Sequence, residues 1–341
     1  MKKISRRNFL RVAGLAAATG MMTACGGSNS TSATSAGSTA SGAAASSWPD
    51  GDVTIYVTAG AGGSSDTIVR QFVERMKKIT GQNIIVVNDT TGGNSVAYET
   101  VRNAKPDGLT LLGYHGGLCV QYASGQYSHS LDEFTVVGSL TSTDHIGYGI
   151  FVNGKSEFNT WDDFVQYAKA HPNELTVGVE TNNTDHLLEI LLEQRFGYQL
   201  SIVSAGSNAE KIPLLMGGNL DVCLLSPSGV TDYVASGDLK CLCLFGEETL
   251  DDLMPGVPCF KDMGEDPELL SMFFYLAGPA GIPDEIAESI NSVLEEISHD
   301  DTIYDVMSNY AMNWTWEPLE DVRAHAHEMQ QQYVDAYALL K

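Results

Sequence analysis

The sequence predicts an α/β protein of two doubly wound lobes joined by a hinge. Three observations predict it: short apolar runs alternate with runs of helical period, the alternation occurs twice, and a late strand run is followed only by helices. Strand–turn–helix order of this kind builds parallel sheets, whose ligands sit outside the C-terminal ends of the strands. From Trp48 onward about 290 residues remain, more than one core usually accommodates, which favours two lobes over one.

Residues 1–24 read as an export signal. Lys2, Lys3, Arg6, Arg7 and Arg11 form a positive start, and residues 12–22 are an apolar run too short to span a bilayer of about 30 Å. Ser5-Arg6-Arg7-Asn8-Phe9-Leu10 carries the paired arginines of a twin-arginine signal. Met22-Thr23-Ala24-Cys25-Gly26 resembles a bacterial lipobox, in which Cys25 is lipidated and becomes the first residue. An ordinary signal peptide with an incidental cysteine is the alternative. Residues 26–47 contain only Gly, Ser, Asn, Thr and Ala, so the segment 25–47 reads as a flexible tether that cannot bury enough apolar surface to order itself.

From residue 48 the first lobe begins. A strand over 53–57 passes through Ala59-Gly60-Ala61-Gly62-Gly63-Ser64-Ser65-Asp66-Thr67 into a helix over 66–80, with Val69, Phe72, Val73, Met76 and Ile79 on one face and Gly81 closing it. That turn suits a small anion. Gly62 and Gly63 let backbone come close, and Ser64, Ser65 and Thr67 add hydroxyls where the first helical N–H groups lack partners. Asp66 either caps this helix or meets the ligand. Strands over 84–87 and 109–113 enclose a second helix over 94–104.

The second lobe repeats the order. A helix over 160–171 is followed by a strand over 175–179, the polar turn 180–185, a helix over 186–196, a strand over 200–203, the turn 204–207 and a helix over 208–216 that tolerates Pro213. Runs at 221–225 and 240–245 supply two more strands. The tail holds a strand run at 273–277 and helices over 284–298 and 319–340, which return the chain to the first lobe. Lobe 1 is therefore expected at 48–152 plus 275–341 and lobe 2 at 153–274.

Charge and cysteines exclude several classes. The chain carries 43 Asp+Glu against 19 Lys+Arg, a formal −24, and the five basic residues of the signal make the exported part more acidic still. Such a surface repels nucleic acid. A small anion is not excluded, because charges farther away than a Debye length of about 8 Å are largely screened. After Cys25 the cysteines are 119, 223, 241, 243 and 259, an odd number with no framework of pairs and no zinc spacing. Cys241 and Cys243 are expected side by side on one strand face, as small hydrophobes. His325 and His327 lie two apart and would point different ways on a helix, so neither a metal nor another cofactor is expected.

Several short motifs occur in one order: Trp48-Pro49-Asp50, the run from Gly62 to Arg70, Asn88 with Gly92-Gly93-Asn94, and Pro106-Asp107-Gly108-Leu109-Thr110. They continue with Met216-Gly217-Gly218-Asn219-Leu220-Asp221, Ser236-Gly237-Asp238-Leu239-Lys240 and Gly278-Pro279-Ala280-Gly281-Ile282-Pro283. Together they resemble the substrate-binding receptors of tripartite tricarboxylate transporters, the Bug family. The resemblance implies a type II periplasmic-binding-protein fold, or Venus flytrap, that closes on one carboxylate of a small organic acid. It implies an extracytoplasmic and monomeric receptor that delivers its ligand to integral membrane permease subunits, and the lipobox adds the expectation of a lipid anchor at Cys25.

Carried over by position, the resemblance places ligand contacts at Gly62, Gly63, Ser64, Ser65 and Asp66, and at Tyr114, His115 and Gly116. From the second lobe it implies Thr181, Asn182, Asn183, Thr184 and His186, with Ser204, Ser207 and Ser226 lining the same cleft. His186 is also readable as a structural hydrogen-bond partner of its turn. Thr58-Ala59-Gly60-Ala61 and Ser204-Ala205 depart from the bulkier residues frequent in the family, which implies a pocket of altered size and leaves the ligand unnamed. Two other functions are open. A ligand-sensing receptor for a membrane signalling partner would read the same way. A serine hydrolase would need Ser226-Pro227-Ser228-Gly229 as its nucleophile turn, but the first glycine of that motif is missing and Pro227 opposes the tight turn.

Overall fold

The computed structural model describes residues 48–114, 116–142, 147–227, 229–246, 249–265, 273–309 and 312–338. The export signal, the lipobox with Cys25 and the tether lie outside the described residues, as does His115. The elements are β1 (Val53–Val57), α1 (Ser64–Thr80), β2 (Ile84–Asn88), α2 (Ser95–Arg102), β3 (Thr110–Tyr114), α3 (Gly117–Ser124) and β4 (Phe134–Ser139). Then follow β5 (Tyr148–Asn153), α4 (Trp161–Ala170), β6 (Thr176–Val179), α5 (Thr184–Phe196), β7 (Ser201–Ser204) and α6 (Asn208–Met216). The chain continues with β8 (Val222–Leu225), α7 (Thr231–Ala235), β9 (Leu239–Phe245), β10 (Tyr275–Pro279), α8 (Asp284–Ile297), α9 (Asp301–Asn309) and α10 (Leu319–Ala338).

Two five-stranded sheets result, ordered β2-β1-β3-β10-β4 and β7-β6-β8-β5-β9. The two orders are the same pattern. In each, three parallel strands are followed by one antiparallel strand, and that strand is the one by which the chain arrives from the other sheet. The expected parallel sheets are thus mixed: β10 runs antiparallel to β3 and β4, and β5 to β8 and β9. The lobe boundary expected at residue 152 falls inside β5, whose pairing is entirely with the second sheet.

Local chemistry explains the helices. α1 buries Ile68, Val69, Phe72, Val73 and Met76, carries Asp66 in its first turn and Lys77 and Lys78 in its last, and ends at Gly81 with φ 68°. Ile79, expected on the buried face, is 41% exposed. Helices α3, α7 and α9 and strands β4 and β5 are additions to the predicted set. α1 packs against α8 and α9, and α10 packs against α3 and β4.

Phe72 meets Trp314 edge to face at 4.8 Å in the first lobe, and Trp161, Phe164, Phe196, Tyr198 and Phe260 form an aromatic cluster in the second. Leu187 and Leu191 of α5 pack with Tyr98, Leu118 and Tyr333, so apolar contact continues from one lobe into the other. The chain crosses between the sheets twice, after β4 and before β10, and the crossings are bonded to each other. Leu140 N–H donates to the Phe274 carbonyl (2.7 Å) and Phe274 N–H to Thr141 Oγ1 (2.9 Å).

All five cysteines after Cys25 are free and buried. Burial pushes the Cys119 and Cys223 thiols up to about 12, so they behave as small hydrophobes. Cys241 and Cys243 do not share a face as expected. A bulge between their partners Phe151 and Ile150 adds a residue to the ladder, and Cys241 packs with Phe151 and Leu225 while Cys243 packs with Ile150 and Val152. Among the described residues there is no cluster of metal-ligating side chains, and no helix is long and apolar enough to cross a membrane.

Candidate functional site

Three helix N-termini meet where the lobes face each other. α1 begins at Gly63 from the first lobe; α5 begins at Asn183 and α6 at Ser207 from the second. Between them is a cavity of about 30 Å³ lined by Ala59, Gly63, Ser65, Tyr148, Glu180, Asp185, Ser207, Asn208, Lys211 and Ser226. That volume holds on the order of one water, so the lobes stand in contact. A larger hollow, about 630 Å³, opens on α4 and residues 258–265 of the second lobe alone. It gathers residues of one lobe only and no helix start but that of α4, so the smaller, two-sided cavity is the better candidate.

Each lobe holds its turn with a buried aspartate. In the first, Asp66 accepts from Gly62 N–H (2.9 Å), Asn88 Nδ2 (2.9 Å) and Arg70 Nε (2.8 Å), and Asn88 also donates to the Ala59 carbonyl (3.0 Å). Burial alone would raise the Asp66 carboxyl, but the Arg70 guanidinium, the Gly62 N–H and the Asn88 amide outweigh it and hold it below the usual range. In the second, Asp185 accepts from Glu180 N–H (2.9 Å), His186 N–H (2.9 Å) and Lys211 Nζ (2.7 Å). Both carboxylates are engaged in shaping their turns and in ion pairs within the chain. Gly63, the cap residue of α1, lines the cavity and brings no side chain to the first helical N–H groups.

Of the residues expected at the site, Gly63, Ser65, Ser207 and Ser226 line the cavity. Ser207 opens α6 with a capping box closed by Glu210, and Ser226 is bonded through its carbonyl to Asn208 Nδ2 (3.0 Å). Gly62, with φ 82°, belongs to the Asp66-held turn rather than to the lining. Asn182 N–H donates to His186 Nδ1 (3.2 Å), which leaves the ring proton on Nε2, and burial moves the imidazole below its ordinary value. Asn183 accepts from Thr184 N–H (2.8 Å), and Thr184 bonds the Tyr333 hydroxyl of α10 across the lobes. Thr181 and Ser204 are exposed and outside the lining. Gly116 starts α3 directly beneath Tyr333, Tyr114 ends β3 opposite Tyr275, and Ser64 opens α1.

The sequence reading misses Tyr148, Glu180, Asp185, Asn208 and Lys211, all of which line the cavity. Lys211 gives the sharpest contrast. It lies on the first turns of α6, where a lysine reads as solvated surface, yet it is 2% exposed, with Nζ donating to Asp185 Oδ2 and to the Leu224 carbonyl (2.8 Å). The one available signal is its spacing four residues after the Ser207 cap, which turns it toward the cleft. Tyr148 remains a neutral phenol, because burial and the charges of Asp185 and Glu180 push it well above its ordinary value.

The glycines of the first turn set how closely the lobes meet. A Cβ built on Gly60 would stand 3.3 Å from Ser207 Oγ and 3.9 Å from Glu210 Oε2 of the opposite lobe. Gly60→Leu is therefore expected to prop the cleft open, weakening ligand binding by about tenfold or more while leaving the melting temperature within about 2 °C. Titration calorimetry and X-ray scattering would check this; unchanged affinity would show that the closed contact is not needed for binding.

The sequence profile of the tripartite tricarboxylate transporter family receptors matches residues 68–333. The chain is 28% identical over 253 residues to a UPF0065 protein of the ttuE-ttuC' intergenic region of Agrobacterium vitis, covering 73% of this chain and 72% of that one. Its fold is that of the periplasmic binding protein BugD (TM-score 0.75, 20% identity, 86% of this chain and 97% of that one). Equally close is MatC of Rhodopseudomonas palustris, determined with bound malate (TM-score 0.77, 20% identity, 85% of this chain and 100% of that one).

Proposed function

Because the chain belongs to the tripartite tricarboxylate transporter receptor family, a family of receptors rather than enzymes, we propose that it captures a small organic carboxylate between its lobes outside the cell membrane and hands it to the permease subunits of such a transporter. One observation carries the ligand class: three helix N-termini, from both lobes, converge on a single cavity. Each favours an anion by about 0.3–1 kcal/mol, and by up to about 2 kcal/mol in sheltered geometry. Ser65, Ser207, Asn208 and Ser226 add donors around the same point. The malate in MatC is a ligand of this class in a receptor of the same fold.

A calorimetric screen of mono-, di- and tricarboxylates against neutral sugars and simple cations tests the reading. Micromolar binding of at least one carboxylate is expected, without added metal; tight binding confined to sugars or simple cations would overturn it. The lipobox reading makes Cys25 the point of attachment, so Cys25→Ala is expected to move the protein from the membrane to the soluble fraction. Retention of the variant in washed membranes would refute the lipid anchor.

A further inference from the structure

Away from the cavity, the two lobes also meet through the terminal helix, α10. Val322, Ala326, Met329, Tyr333 and Ala336 form its buried face, and the helix lies on α3 and β4 of the first lobe. Tyr333 reaches beyond that lobe. Its side chain is fully buried, and its hydroxyl bonds Thr184, the first residue of α5 in the second lobe. A glycine makes room for it. Gly116 has φ −52°, a helical value open to any residue, so the backbone does not call for glycine there. Space does: a Cβ on Gly116 would stand 2.6 Å from Cζ and Cε2 of Tyr333. The next turns of α5 extend the contact. Leu187 and Leu191, four residues apart and so on one face, are buried in a cluster with Leu118 and Tyr333, whose other buried members among the described residues come from the first lobe and the crossing at Phe273. Every group in this contact is the protein's own. Parting the lobes here would expose two leucines and break the bond of a buried hydroxyl.

We propose that the Tyr333–Thr184 bond, with Leu187 and Leu191 beside it, is a latch that favours the closed arrangement of the lobes whatever fills the cleft. Thr184 ties the latch to the site, because it precedes Asp185, which lines the cavity, and opens the helix whose N-terminus faces it. Closed molecules then exist before capture, so a ligand has less of the closing to drive, and release requires the latch to part. Gly116 belongs to the device, since its missing side chain lets the phenol pass the start of α3. Tyr333 is thus a positioning residue, acting on the cleft through Thr184 without lining it.

Pulsed dipolar spectroscopy on the protein without added ligand tests this, so the outcome does not depend on which molecule the cleft holds. The cysteines after Cys25 are all buried, so spin labels go on Lys105→Cys in the first lobe and Lys169→Cys in the second, both exposed positions, in a full chain carrying Cys25→Ala. The parent is expected to show the label distance of the closed arrangement. Tyr333→Phe keeps the ring and removes only the hydroxyl; it should lower the closed-to-open ratio by about twofold or more and bring in a second distance. Thr184→Val should do the same, and the double variant should go no further than either single one. Gly116→Ala, which displaces the ring, should open the lobes at least as much. A tyrosine that merely packs would lower the melting temperature and leave the distances unchanged, and that result overturns the proposal. So does a parent without a closed population, or a double variant in which the two effects add.

Discussion

Lys211→Met is expected to lower the stability of the protein by about 3–5 kcal/mol, the usual cost of removing one partner of a buried ion pair. The Lys211 and Asp185 side chains are 3% and 2% exposed, and the Leu224 carbonyl depends on the same ammonium. With the lysine gone, Asp185 keeps the N–H groups of Glu180 and His186 but loses its cation, and the end of β8 loses a hydrogen bond. Methionine nearly preserves the volume, so the loss reports on the charge rather than on a cavity. Adding Asp185→Asn to the variant should recover part of the deficit. Urea denaturation of the parent, the two single variants Lys211→Met and Asp185→Asn and the double variant gives the coupling directly, and a loss under about 1 kcal/mol for Lys211→Met would mean that water reaches the pair.

The second large effect is a dependence of stability on pH to which one residue, Glu189, contributes most. Glu189 on α5 is fully buried, and neither carboxyl oxygen is in hydrogen-bond geometry with a partner, although the Tyr198 hydroxyl lies beside it. Burial, helped by the charge of Glu193, pushes its carboxyl from 4.5 up to about 8, so the folded protein holds a proton there at neutral pH. The sign follows from linkage. The folded state binds this proton more tightly than the unfolded chain, so the stabilisation is fully present below about pH 4.5 and is lost as pH rises through about 8. The loss is on the order of 5 kcal/mol.

Glu189→Gln should remove the largest single share of that slope, leaving the variant more stable than the parent at pH 9 relative to their difference at pH 5. Glu180, pushed up to about 7 by burial and the charge of Asp185, and Glu193, shifted upward by burial, remain in the variant as a residual slope. Thermal or urea unfolding from pH 5 to 9 checks it, and parallel curves for the two proteins would place the titration elsewhere.

The parts of the fold that sequence reveals are those with local causes. α1 is written in the spacing of Ile68, Val69, Phe72, Val73 and Met76 and in Gly81, and the strand–turn–helix units around β1, β6 and β7 are written the same way. β4 and β5 are not, because their register depends on β10, β8 and β9, which lie far along the chain. β10 is legible as the strand run expected at 273–277, but its antiparallel direction is not, for the same reason.

At the cleft, the glycine and hydroxyl turns are legible because helix starts have unpaired N–H groups wherever they occur. Lys211 and Glu180 are not legible. One looks like a surface lysine on a short helix and the other like a loop acid, and only the meeting of β6, α5, α6 and β8 buries them together. Asp66 lies between these cases: its position in the first turn of α1 is visible, whereas its capture by Asn88 at the end of β2 is not.

The paired crossings at Leu140–Thr141 and Phe274 bear on more than connectivity. Two strands of chain laced side by side constrain the lobes as a door is constrained by two pins, leaving swing about one line as the soft motion and making twist or slide costly. Apparent affinity is the intrinsic affinity scaled by the fraction of molecules in the competent arrangement. Residues at these pins, none of which touches the cleft, can therefore set how tightly the protein holds its cargo and how readily it lets go.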